Sequence, residues 1–170
     1  MRIRKLTAII LSFVLLMTAV IFTSCDSGSD DSVTDYQQAI IDYYKAISTG
    51  NVEDYKKFIP LKIIEYFETD EQGYYESVVD YTYKSMEDKY GDDMELSFKF
   101  KDEKKFSDDE VKAYIKELRD TYTKELEISE AYEIEVKITV KGSKTEDKES
   151  HTLNVFRIVD SWYVLDAGKI

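Results

Sequence analysis

From Tyr132 to Lys141 the sequence alternates without a break. Tyr132, Ile134, Val136, Ile138 and Val140 fall on one side, and Glu133, Glu135, Lys137, Thr139 and Lys141 on the other. A period of two fits a β-strand with one buried and one wet face, and no helix can bury it. The strand therefore demands neighbours in a sheet and a second layer over its apolar face. Met94, Leu96, Phe98 and Phe100 repeat the pattern against Glu95, Ser97, Lys99 and Lys101. After a polar loop over Gly142 to Lys148, Leu153, Val155, Phe156 and Ile158 make another strand. Its apolar parity changes between Val155 and Phe156, which implies a bulge or burial on both faces. Val159-Asp160-Ser161-Trp162 reads as a tight turn, and Trp162 to Leu165 as the last strand.

The first half carries the helical period. Tyr36, Ile40, Tyr43, Tyr44 and Ile47 lie on one helix face, Thr34 with Gln37 forms a capping box, and Gly50 is a stop. Asn51 caps a short helix with Val52, Tyr55, Phe58 and Ile59 on its apolar side. Pro60, the only proline, ends it or opens the next turn at Leu61 to Phe67. A longer helix is expected from about Gln72 to Tyr90, stopping at Gly91, with Tyr75, Val78, Val79, Met86 and Tyr90 as its stripe. Ser107 with Glu110 opens one more helix, with Val111, Tyr114, Ile115, Leu118 and Tyr122 on one side. The expected fold is α+β: N-terminal helices packed on one face of a curved antiparallel sheet, in one domain over 33–170.

The N-terminus sets the compartment. Arg2, Arg4 and Lys5 precede an uncharged, mostly apolar run from Leu6 to Ser24. That is a secretory core, or an anchor at the short end of the roughly 17–25 residues that span a bilayer. Thr23-Ser24 puts two small residues before Cys25, the only cysteine of the chain. Basic start, apolar run and small-small-Cys resemble the signal of bacterial lipoproteins, which is cut before a cysteine that is then diacylated. The resemblance implies a signal peptide over 1–24, lipidation of Cys25, and residence on the outer face of the cell membrane. Two acyl chains anchor stably where one binds marginally. Asp26-Ser27-Gly28-Ser29-Asp30-Asp31-Ser32 has no apolar residue and reads, with Cys25, as a flexible acidic tether over 25–32.

Composition excludes several functions. The full chain has 23 Lys+Arg against 35 Asp+Glu, a net charge of −12. Loss of the leader takes three positive charges and no negative ones, leaving 20 against 35, or −15. Phosphate backbones need the opposite sign, so nucleic acid is not the partner. A lone cysteine allows neither a disulfide framework nor a thiolate metal cluster, and His151 is the only histidine.

Ala39 to Ile47 followed by Gly50-Asn51-Val52-Glu53-Asp54-Tyr55 resembles the opening helix pair of nuclear-transport-factor-2-like (cystatin-like cone) proteins. Val159 to Leu165 is similar to their closing hairpin, and the leader in front resembles Gram-positive lipoproteins built on that fold. The resemblance implies a sheet curled around its helices, with a ligand, an active site or nothing inside.

No catalytic set stands out. Enzymes of the resembled fold use a carboxylate with Tyr or His in an apolar cone, where burial raises the carboxylate pKa. This chain offers 14 Tyr and many carboxylates, but spacing selects no pair. His151 opens a strand beside a polar loop and reads as an ordinary half-exposed residue. Tyr36, Tyr43, Tyr44, Tyr75, Tyr114 and Tyr122 sit at helical core spacing and read as packing, with a tyrosine-lined pocket or rim as the alternative. Trp162 reads as core. Glu68 to Gly73 places glycine at the sixth position of a calcium loop, but the twelfth is Val79 where a bidentate Glu is required. The expected function is a non-enzymatic binding domain without cofactor or metal, whose partner is a small molecule, a peptide or an envelope protein. The alternatives are a cone enzyme with a buried carboxylate and tyrosine, or an assembly module of an envelope complex.

Overall fold

Apolar residues that recur every three to four positions up to Tyr90, and every second position over most of the chain beyond it, give helices followed mainly by strands. The computed structural model describes residues 33–166. The expected leader, Cys25 and the tether lie outside them. Among the described residues the order is α1 (Asp35–Ser48), α2 (Val52–Lys56), α3 (Leu61–Asp70), α4 (Tyr74–Tyr90), β1 (Glu95–Lys105), α5 (Asp108–Tyr122), β2 (Glu130–Lys141), β3 (Glu146–Ile158) and β4 (Ser161–Asp166). The four strands form one antiparallel open sheet in the order β1-β2-β3-β4. The fold is α+β, with helices packed on a four-stranded sheet.

The helix boundaries follow local chemistry. Thr34 and Gln37 make the reciprocal capping box at α1, and Ser107 and Glu110 make the second at α5. Asn51 accepts from the Asp54 amide at the start of α2. Pro60 stands just before α3, where its missing N–H costs nothing. α4 starts at Tyr74, two residues later than expected, because Gly73 takes φ 79° and breaks the turn. Its C-terminus is covered from a distance in sequence. The Lys144 amide donates to Tyr90 O (2.8 Å), and the Lys144 ammonium donates to the Glu87 and Asp88 carbonyls. Gly142 sits against the Tyr90 carbonyl, where any Cβ would collide with backbone.

β2 and β3 pair from Glu130↔Arg157 to Lys141↔Glu146 without a shift in register. β3 thus begins at Glu146, inside the stretch expected to be loop. Glu146, Asp147 and Lys148 pair with Lys141, Val140 and Thr139, so the backbone ladder continues past the end of the apolar pattern. The parity change at Val155 and Phe156 is burial on both faces. Val155 packs with Ile40 of α1, whereas Phe156 packs with Tyr114 of α5, their ring centroids 5.8 Å apart. Neighbouring residues of a strand point to opposite faces, so α5 covers the face opposite α1. The helices expected on one face are thus divided between two.

The face toward α1 is solid. Ile134, Val136, Leu153, Val155 and Val164 have no exposed surface there, and Ala39 and Ile40 close over them. Each fully buried aliphatic side chain contributes about 1.5–3 kcal/mol. In β1 the register shifts between Phe100 and Asp102, leaving Lys101 as a bulge. The bulge turns Glu103 to the α1 side, where it accepts from the Tyr36 hydroxyl (2.9 Å) and from the Gln37 side-chain Nε2. Tyr36 stacks on Tyr132 at 4.5 Å, and Trp162 meets both rings, at 5.5 and 5.9 Å. Trp162 is therefore half-buried at one end of the sheet rather than central. At the other edge the Val164 amide donates to Phe58 O (3.0 Å), so the loop after α2 occupies part of the free side of β4.

Candidate functional site

A cavity of about 220 Å³ opens between the helical layer and the β4 edge, lined from α1 through α5. Helical spacing places its walls. Tyr43 and Ile47 come from successive turns of α1, Ile63 and Phe67 from successive turns of α3, and Tyr75, Val78, Val79 and Thr82 from one side of α4. Tyr55 of α2, Tyr74 at the start of α4 and Tyr122 in the last turn of α5 complete the aromatic wall, and Val164 and Leu165 form its floor. No lining residue carries a charge. The volume lies between the roughly 150 Å³ that accepts a benzene and the roughly 300 Å³ at which drug-sized pockets begin.

The rings form a continuous chain. Tyr43 meets Tyr55 at 5.0 Å, Tyr55 meets Tyr75 at 6.1 Å, Tyr75 meets Phe67 at 6.0 Å, and Phe67 meets Tyr122 at 5.8 Å. Interplanar angles of 37°, 46°, 85° and 63° turn the wall around rather than stacking it flat. The Tyr43 and Tyr55 hydroxyls lie 3.3 Å apart and share a hydrogen bond. The Thr82 hydroxyl donates to Val78 O. Burial pushes the Tyr75 phenol well above its ordinary range, aided by neighbouring tyrosines and by Glu68; burial also raises Tyr122. Both phenols are neutral near pH 7. They can donate or accept a hydrogen bond but supply no phenolate base or nucleophile.

Beside this wall lies an ion-paired group of net negative charge. The Lys56 ammonium is shared by Glu68 (2.8 Å) and Glu76 (2.9 Å). Hydrogen bonds that Lys56 donates to Glu68 and then Glu76 push it up to about 12, and Lys56 pulls Glu76 down. The other carboxylates that the fold shifts also move down. Lys104 and Ser107 lower Glu110, Lys116 lowers Asp120, and Lys89 lowers Asp147. Glu130 stays low because Lys105 and Arg157 outweigh the burial that would raise it. These are structural ion pairs, the reverse of a carboxylate kept protonated as an acid.

Of the six tyrosines singled out in sequence, the cavity gathers Tyr43, Tyr75 and Tyr122. Tyr36 stands in the Trp162 cluster, Tyr44 contacts Phe98 and His151, and Tyr114 packs on Phe156. Burial raises the Tyr114 phenol while nearby Asn154 pulls it back. His151 lies 3.6 Å from Glu149 with its ring 5.7 Å from Tyr44, and it does not line the cavity. Sequence reasoning passed over Tyr55, which it placed only on the apolar side of α2, and the pair Phe67 and Tyr74 as site residues. The signal of that pair was aromatics on both sides of the short α3–α4 turn, where the two rings stack at 4.6 Å. Among the described residues no group of three or more His, Cys, Asp or Glu is arranged to hold a metal, and no helix is long and apolar enough to cross a membrane.

Fold and cavity together define an α+β domain with an uncharged, tyrosine-walled pocket in its helical layer. No protein-family model, no curated protein and no solved structure matches the chain.

Proposed function

We propose that the chain is an extracytoplasmic lipoprotein, anchored through Cys25, whose α+β domain binds a small molecule in the tyrosine-walled cavity. The observation that carries the binding reading is the cavity itself: concave, aromatic, uncharged, and provided with a few hydroxyls that can orient a guest. The leader and the Thr23-Ser24-Cys25 sequence carry the anchoring. Seven tether residues after Cys25 span roughly 15 Å on average, which keeps such a domain close to its membrane. The kinship with nuclear-transport-factor-2-like proteins belongs to the same proposal. The leading helices and the closing β3–β4 hairpin with Trp162 support it; α5 on the opposite face is the part it leaves unexplained. A catalytic reading has less support, because the cavity holds no carboxylate and its shifted phenols are neutral.

Two measurements on the full chain test the proposal. Metabolic labelling with a palmitate analogue should mark the wild type and leave Cys25→Ser unlabelled; label retained in that variant removes the anchor. Ligand-observed NMR in maltoside detergent should detect small organic compounds that compete for one site, and Val79→Phe, which fills the cavity, should abolish the signal. Binding that survives Val79→Phe moves the site elsewhere.

A further inference from the structure

We propose that the cavity takes a small methylated ammonium ion, held over the faces of its tyrosines. The inference rests on the binding reading above and narrows it to one chemical class. Tyr43, Tyr55, Tyr75, Phe67 and Tyr122 form the turned chain of rings, so a guest in the cavity meets aromatic surface in several directions. Aromatic faces carry the negative part of the ring quadrupole and attract a cation within about 6 Å of the centroid, most strongly where water is excluded.

Three further observations select the sign and kind of guest. The lining contains no Lys or Arg, so no positive charge inside repels a cation or pairs with an anion. The nearest ion-paired group, Lys56 with Glu68 and Glu76, is net negative, and the field of Glu68 reaches Tyr75. The whole chain carries −12, which concentrates cations around it. The polar atoms of the wall are few. A primary ammonium brings three N–H donors that each need an acceptor, and the cavity holds no carboxylate to meet them. A quaternary ammonium has no N–H to satisfy and presents only methyl groups to the rings. Its charge, not a hydrogen-bond set, would be what the site reads. A volume of about 220 Å³ admits a trimethylammonium group with a short polar tail, for which the paired Tyr43 and Tyr55 hydroxyls offer a partner.

The experiment compares choline with its neutral carbon isostere, 3,3-dimethylbutan-1-ol. Both are titrated into the full-length protein in maltoside detergent, with sodium chloride matched. Saturable choline binding with at least about tenfold preference over the isostere is expected. Tyr43→Phe, which keeps the ring, should retain that preference, and Tyr43→Leu should lose most of it. Tyr43 is only half-buried, and a matched thermal transition confirms that the variant is folded. Should Tyr43→Leu fail to fold, Val79→Phe replaces it and should abolish choline binding. Equal binding of the two compounds overturns the cation proposal and leaves the cavity reading standing. Binding of neither overturns the cation proposal, and the cavity reading is then decided by the separate NMR test with Val79→Phe. Choline binding that ignores Tyr43→Leu, or Val79→Phe where that variant replaces it, overturns the proposal by placing the ion on the acidic surface.

Discussion

At the scale of single residues, Val159 is the clearest misfit between side chain and backbone. It occupies the two-residue turn between Ile158 and Ser161 with φ 57°, a left-handed conformation that crowds any Cβ and a β-branched one most. It is 76% exposed, so no packing compensates. Tight hairpin turns favour Asn, Asp or Gly at such positions. Val159→Asn is therefore expected to stabilise the protein by about 1 kcal/mol, read as a higher urea midpoint with an unchanged slope. A lower midpoint would mean that Val159 holds a contact its exposure hides. The place of this turn was legible from Val159 to Trp162; the strain was not, because the sign of φ follows from the register that closes the hairpin. The cavity residues divide in the same way. Tyr43 and Tyr75 stand out by helical spacing, but that spacing fits a filled core equally well, and only the packing of α1, α3 and α4 against β4 leaves a space between them.

At the scale of elements, helix ends closed by local residues were readable, whereas partners brought from afar and the face a helix takes were not. Thr34 with Gln37 and Ser107 with Glu110 announce α1 and α5, because a capping box needs only four consecutive residues. The C-terminus of α4 was readable from Gly91, which caps it at φ 85°, but the added closure by Lys144 of the β2–β3 turn is a contact that no local pattern encodes. The side taken by α5 was equally hidden, since it depends on Phe156 facing away from Val155. The α5 box has a consequence for acid stability. Glu110 accepts from the Ser107 amide and pairs with Lys104 at 2.6 Å, and these contacts, Lys104 foremost, lower its pKa from 4.5 to about 2. A carboxyl lowered on folding stabilises the native state fully above about pH 4.5 and loses that contribution as the pH falls toward 2. Glu110→Gln keeps an acceptor for the cap but does not titrate. The fall in urea midpoint between pH 7 and pH 2.5 should be smaller in this variant than in the wild type. Equal falls would assign the acid sensitivity to the other lowered carboxylates, Glu76, Asp120, Glu130 and Asp147.

At the scale of the whole molecule, an open sheet has two edges, and each presents unpaired backbone groups to any other chain. The β4 edge is partly occupied by Phe58. The β1 edge is guarded instead by the bulge at Lys101 and by a row of ammonium groups from Lys99, Lys101, Lys104 and Lys105. Sequence alone shows Lys99 and Lys101 as the wet face of a strand and leaves Lys104 and Lys105 beyond its expected end; their guarding role needs the strand order, which puts β1 outermost. Two charge effects oppose each other here. The net charge of −12 keeps copies apart at long range, and the lysines act at contact, where a second strand would have to bury or crowd them. Replacing Lys99 and Lys101 together by Thr separates the two. The change makes the chain more acidic by two charges, so long-range repulsion alone predicts less association. It also removes two guards and adds β-formers on the edge, so the contact effect predicts more. Increased self-association of the double variant, measured by sedimentation velocity in matched detergent, is the expected outcome. It should persist at high salt, where long-range repulsion is screened in variant and wild type alike. If the variant associates no more than the wild type, the bulge alone guards β1 and its lysines serve their ion pairs, such as Lys101 with Glu135 at 3.4 Å.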